Sequence, residues 1–100
     1  MKEVEIIRSA LRCFGTQPQM VVAIEEMSEL QKELCKLLRG SANMEHIAEE
    51  IADVEIMLAQ VKEAFQLENN VKKYKYFKLC RLDSRIDAAM ERKAAERGRV

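Results

Sequence analysis

One proline, three glycines, no tryptophan and aromatic residues at only 5% leave this 100-residue chain poor in turn-formers and in strand chemistry. Strands announce themselves by β-branched and aromatic runs bounded by Gly, Pro or Asn clusters. Almost none of that pattern is present, and the chain reads as all-α. Charge of one sign is also missing. Seventeen basic residues balance seventeen acidic ones, for a formal net charge of +0. That argues against a dedicated nucleic-acid or membrane-surface binder, which shows a basic excess. No apolar run approaches the roughly 18 residues of a membrane span. The start, Met1-Lys2-Glu3-Val4-Glu5, is too acidic and mixed for a signal peptide. Cys13, Cys35 and Cys80 are odd in number, widely spaced and form no CxxC pair. Free thiols in a reducing cytoplasm are therefore expected. With one histidine and scattered cysteines, the chain is a poor match for a zinc site.

The length suggests one domain with a modest core. Several long helices at this size leave an apolar face for a partner chain. Helix one is expected over residues 2–13, with Val4, Ile7 and Leu11 as its face. Phe14-Gly15-Thr16 breaks it, with Thr16 as the next cap and Pro18 in the first turn. Helix two covers 17–39, with Met20, Ile24, Met27, Leu34 and Leu38 as its buried stripe, widened by Ala23, Leu30 and Leu37. Gly40 stops it. Ser41 or Asn43 caps helix three, which runs to about Phe65. Asn69 or Asn70 caps a fourth helix reaching into the low nineties. The single domain spans 1–93, and the small, charged end at 94–100 frays.

Against this background one residue is out of place. Ile47, Ile51, Val54, Leu58, Val61 and Phe65 recur at the spacing of one buried helix face. At about 100° per residue, Glu50 falls inside that arc, between the directions of Val61 and Met57. Asp53 falls at its edge, beside Ala64. An unpaired carboxylate on a buried face costs several kcal/mol, so something must compensate. Helix two carries Glu26, about 20° beyond Leu37 on the wheel, and Glu29 further out on the same side. Each helix thus presents two acids at i, i+3, which are neighbours on a helix surface. Packed antiparallel, the two helices would point both pairs into one cleft. Four carboxylates repel without a cation, and hard cations such as Mg²⁺ or Mn²⁺ take oxygen ligands.

Other charges have plainer readings. Glu25 points away from the stripe as a solvated residue or a supporting one. Glu33 can pair with Lys36, and Glu29 with Lys32, as i, i+3 surface pairs. On helix four, Lys78, Arg81 and Arg85 lie within about 60° of one another, flanking an apolar face of Leu79, Leu82, Ile86 and Met90. They could hold phosphate oxygens, which Arg grips bidentately, or pair with Glu on helices two and three. Lys75 lies further inside the apolar arc and must snorkel or find an anion. Tyr74 and Phe77 read as packing or dimer contacts, and His46 as a packing or surface residue.

The run Glu25-Glu26-Met27-Ser28-Glu29, then twenty residues, then Glu50-Ile51-Ala52-Asp53 resembles the EExxE…ExxD signature of the MazG-like all-α nucleoside triphosphate pyrophosphohydrolases. The segment 78–85 is similar to the basic pattern that follows in short members, and the resemblance covers about residues 14–87. It implies a four-helix, bundle-like fold assembled as a dimer or tetramer. It implies Mg²⁺-dependent hydrolysis of an NTP or dNTP to the monophosphate plus pyrophosphate, with Mn²⁺ as the other candidate metal. Glu26, Glu29, Glu50 and Asp53 are carried over as metal ligands. Glu25 and Glu49 are the candidates to accept a proton from water. Lys78, Arg81 and Arg85 would bind polyphosphate. Phe14, Gln17 and Gln19 stand where a base could approach, and Gln19 resembles a Gln common there in relatives. The chain is shorter than larger members, so its base pocket would draw on a neighbouring subunit.

Two other classes compete. A non-catalytic helical dimer would bind metal or nucleotide as an interaction or regulatory module, without turnover. A carboxylate di-iron bundle would want Glu-x-x-His motifs, and His46 is preceded by Asn43 instead.

Overall fold

Local chemistry sets the helix ends. In the computed structural model, which describes residues 1–99, α1 spans Glu3–Phe14. The Lys2 N–H donates to the Glu5 carboxylate at 3.3 Å, and Glu3 and Glu5 place negative charge in the first turn, where the helix dipole favours it. Gly15, at φ 90° and ψ 150°, then turns the chain. Helix α2 spans Thr16–Leu38. Thr16 is its first residue and makes no side-chain cap, because Gly15 already occupies the cap position. Pro18 sits in the first turn, where its missing N–H has no intrahelical partner to lose.

Both ends of the α2–α3 connection are closed by side chains or turns of defined type. Gly40, at φ 79°, donates to the Leu37 carbonyl, and Ser41 donates to the Lys36 carbonyl. This paired arrangement is a Schellman end, for which glycine supplies the left-handed residue. Of the two expected caps for α3 (Met44–Phe65), Asn43 is the one used: its Oδ1 accepts the Glu45 N–H at 2.9 Å. Asn43→Ala is expected to lower stability by about 1 kcal/mol, read as a shifted denaturant midpoint. The other end of α3 repeats the Schellman pattern with a non-glycine residue. Gln66 takes φ 53°, Leu67 donates to the Lys62 carbonyl, and Gln66 donates to the Glu63 carbonyl. A left-handed side-chain residue costs roughly 1–2 kcal/mol, so Gln66→Gly is expected to stabilise the fold by about 1 kcal/mol, read by the same midpoint.

The chain divides into two compact units, Met1–Leu67 and the part from Glu68 onward. In the first, α2 packs along α3 and α1 lies against both. Arg8 of α1 donates to Glu63 of α3 at 2.6 Å. The core is small: Ile7, Ala23, Ile47 and Met57 are its buried apolar residues, joined by Glu33 and Gln60.

The buried stripe of α2 differs from the expected one. Met20, Ile24, Met27, Leu34 and Leu38 are 39–88% exposed, and Ile51, Leu58 and Phe65 on α3 are 42–48% exposed. Inward lie the expected Ala23 and Leu30 together with Glu26 and Glu33 on α2, and the expected Ile47, Val54 and Val61 together with Glu50, Met57 and Gln60 on α3. Helical periodicity marks a broad apolar arc but not which edge of it meets the neighbour. Here the seam runs along the edge that carries the acids. Glu33 pairs with Lys36 at 3.2 Å, as expected, yet it is buried rather than a surface residue. No Glu29–Lys32 ion pair forms among the described residues.

The second unit is α4, Glu68–Arg97. It begins before Asn69 and Asn70, so neither caps it, and it continues past the low nineties through most of the segment expected to fray. Val100 lies outside the described residues. Tyr76 and Phe77 meet edge-on at 5.5 Å, and the Lys73 ammonium lies 5.5 Å from the Tyr74 ring centre. Val71, Tyr74, Lys75, Lys78, Leu79 and Leu82 line a hollow on this helix. Among the described residues the fold is all-α, and no helix is long and apolar enough to cross a membrane.

Candidate metal centre

Two side-chain contacts fix the direction of the α2–α3 pair. Gln19 meets Gln60, and seven residues further along α2, Glu26 meets Asp53, seven residues back along α3. Advancing on one helix while retreating on the other means antiparallel packing, as the acidic pairs require. Glu26, Glu50 and Asp53 each offer a carboxylate oxygen, and these oxygens all lie within 4.8 Å of one another. Glu26 and Glu50 are partly buried and Asp53 is exposed. The cluster therefore opens to solvent on the Asp53 side.

The electrostatics are unfavourable as they stand. The Oε2 of Glu50 is buried and has no hydrogen-bond partner among the described residues. A buried acceptor left unpaired carries its full desolvation cost. The Glu26 pKa is raised above its ordinary value. Partial burial is the first cause, followed by the negative fields of Asp53 and Glu50, a hydrogen bond to Asp53 that favours the protonated form, and the field of Glu29. All of these disfavour the ionised state. A hard cation among the oxygens would relieve them together and would give Glu50 Oε2 a partner, so the donor set fits an oxygen-liganded divalent ion.

Glu29 is exposed; it adds to the field on Glu26 but is not among the three converging acids. Glu25 and Glu49 are exposed on their respective helices. The Ser28 hydroxyl inside the motif donates back to the Ile24 carbonyl at 3.1 Å and so stays on its own helix. Gln19 Nε2 donates to Gln60 Oε1 at 2.8 Å. Beside this pair a shallow apolar cleft is lined by Leu11, Thr16, Met20, Val61 and Ala64. Phe14, Gln17 and His46 are exposed. Lys78, Arg81 and Arg85 are exposed on α4. Cys13, Cys35 and Cys80 are exposed free thiols, as their spacing implies. Gln60 stands one heptad beyond Asp53 on the same face, a spacing that is the one signal of it in the sequence. Compared with family models, curated proteins and solved structures, the chain finds no match.

Proposed function

We propose that this protein is a divalent-metal-dependent pyrophosphohydrolase of the MazG-like kind, converting an NTP or dNTP to the monophosphate plus pyrophosphate. The observation that carries this reading is the convergence of Glu26, Glu50 and Asp53, with one buried Glu50 oxygen left without a partner. Those three side chains would hold Mg²⁺ or Mn²⁺, with Glu29 completing the quartet of the two-part motif. A cation held there supplies positive charge for phosphate oxygens and makes a water molecule easier to deprotonate. Glu25 and Glu49 are one residue from the ligand positions, and either can accept that water's proton. Lys78, Arg81 and Arg85 are assigned to the polyphosphate, whose oxygens match the guanidinium forks of the two arginines and the point charge of the lysine. The half-exposed apolar stripes of α2 and α3 suit a homodimer or homotetramer, and the balanced composition suits a cytoplasmic enzyme acting on nucleotides rather than on a nucleic acid polymer.

The test is incubation with a panel of canonical and modified NTPs and dNTPs with Mg²⁺ or Mn²⁺, with products separated chromatographically. Metal-dependent monophosphate plus pyrophosphate is the expected result. Binding of metal or nucleotide without turnover would replace the enzyme by a non-catalytic binding module. Diphosphate plus phosphate would assign a different reaction.

A further inference from the structure

Gln60 is 5% exposed, which makes it one of the most buried side chains in the protein. A buried amide is costly unless both of its ends are engaged. Its Oε1 accepts from Gln19 Nε2 across the seam at 2.8 Å, while its own Nε2 donates to Met57 Sδ at 3.4 Å on the same helix. A thioether is a weak acceptor, so the strong bond is the one between helices. The pair sits one heptad from the acids on each side: Gln19 precedes Glu26 by seven residues, and Gln60 follows Asp53 by seven. That is about 10.5 Å along the seam.

The surrounding contacts are poorly suited to hold this register. Apolar side chains tolerate sliding, and the acids attract across the seam only through a Glu26–Asp53 hydrogen bond that needs a shared proton; once ionised they repel one another. A buried hydrogen bond between neutral amides on facing helices is satisfied in one alignment only, which is how buried polar residues specify register between helices. We infer that the Gln19–Gln60 hydrogen bond is a register lock: these are positioning residues that set α2 against α3 so that Glu26 faces Glu50 and Asp53. This rests on the metal-site reading above. Both amides are neutral, so the lock acts through geometry and leaves the charge of the cluster unchanged.

The double variant Gln19→Met/Gln60→Met removes both amides while keeping side-chain length. Replacing both partners of a buried hydrogen bond by apolar groups of similar shape is close to neutral for stability. Mn²⁺ is titrated calorimetrically into the full chain, and Tm is measured on the same samples without metal. The expected result is a Tm no lower than that of the wild type, with Mn²⁺ affinity about 10-fold or more weaker, the range typical of groups that orient metal ligands. Wild-type affinity in the double variant, with a wild type that binds Mn²⁺, overturns the lock alone. An affinity loss that appears only with a matching fall in Tm assigns the pair to general stability and also overturns it. A wild type that binds no Mn²⁺ removes the metal-site reading, and the lock with it.

Discussion

Glu50→Gln is expected to abolish the proposed nucleotide hydrolysis and at the same time to raise the melting temperature of the metal-free protein. The two effects have one cause. Glu50 Oε2 is buried without a partner, and its neighbours Glu26 and Asp53 are acids. Neutralising it removes an uncompensated charge from the seam, while the amide keeps the shape. Relief of about 1 kcal/mol corresponds to roughly 4–8 °C in a domain of this size. The same change removes a ligand. Groups that merely orient ligands cost 10–100-fold in metal affinity or activity, so loss of a ligand is expected to cost more than about 100-fold. Paired melting and turnover assays check both signs. A variant that is less stable without metal, or one that hydrolyses nucleotides at the wild-type rate, contradicts the assignment of Glu50.

Metal and pH act on stability in opposite directions. Glu26 has a raised pKa in the folded protein, chiefly through partial burial and then through the fields of Asp53 and Glu50. In the window between the ordinary carboxylate value and this raised value, the folded state holds a proton that the unfolded state has released. The unfolded state then binds fewer protons, so stability falls as pH rises through that window. Above it the penalty is fully present. With EDTA, Tm is therefore expected to fall as pH climbs from the ordinary carboxylate range through the raised value. Saturating Mg²⁺ or Mn²⁺ reverses the trend, because the cation binds the ionised cluster. At a hundred times its Kd a ligand stabilises by about 2.7 kcal/mol, which is a rise of 10 °C or more by the same conversion. Differential scanning calorimetry across pH, with and without metal, reads this directly. A metal-free Tm that is flat or rising through the window would contradict the described electrostatics.

Helix number, helix type and most ends were legible in the sequence because they follow from local chemistry. Gly40 and Asn43 act where turn and capping preferences place them. Glu50 was legible for a different reason: a carboxylate inside an apolar arc conflicts with its surroundings whatever the neighbour is. The orientation of the α2–α3 seam was not legible. Met20, Ile24 and Met27 on α2 and Ile51 and Leu58 on α3 are as apolar as a core needs, and periodicity alone cannot say which edge of a wide arc a neighbour covers. The buried positions of Glu33 and Gln60 were hidden by the same ambiguity, since both are residue types that usually face water. Asn69 and Asn70 are good capping residue types, but α4 begins at Glu68 and leaves both inside its first turn. The small and charged residues at 94–97 resemble a tail in composition, yet Ala, Glu and Arg are good helix formers and α4 runs through them.

Whether Glu26, Glu50 and Asp53 hold a divalent cation is decided by titration calorimetry of Mn²⁺ or Mg²⁺ into the metal-free wild type and Glu50→Gln at neutral pH. The expected result is saturable binding to the wild type that is weakened beyond about 100-fold, effectively lost, in the variant. No binding to the wild type, or equal binding to both proteins, would contradict the claim that Glu26, Glu50 and Asp53 form a divalent-cation site.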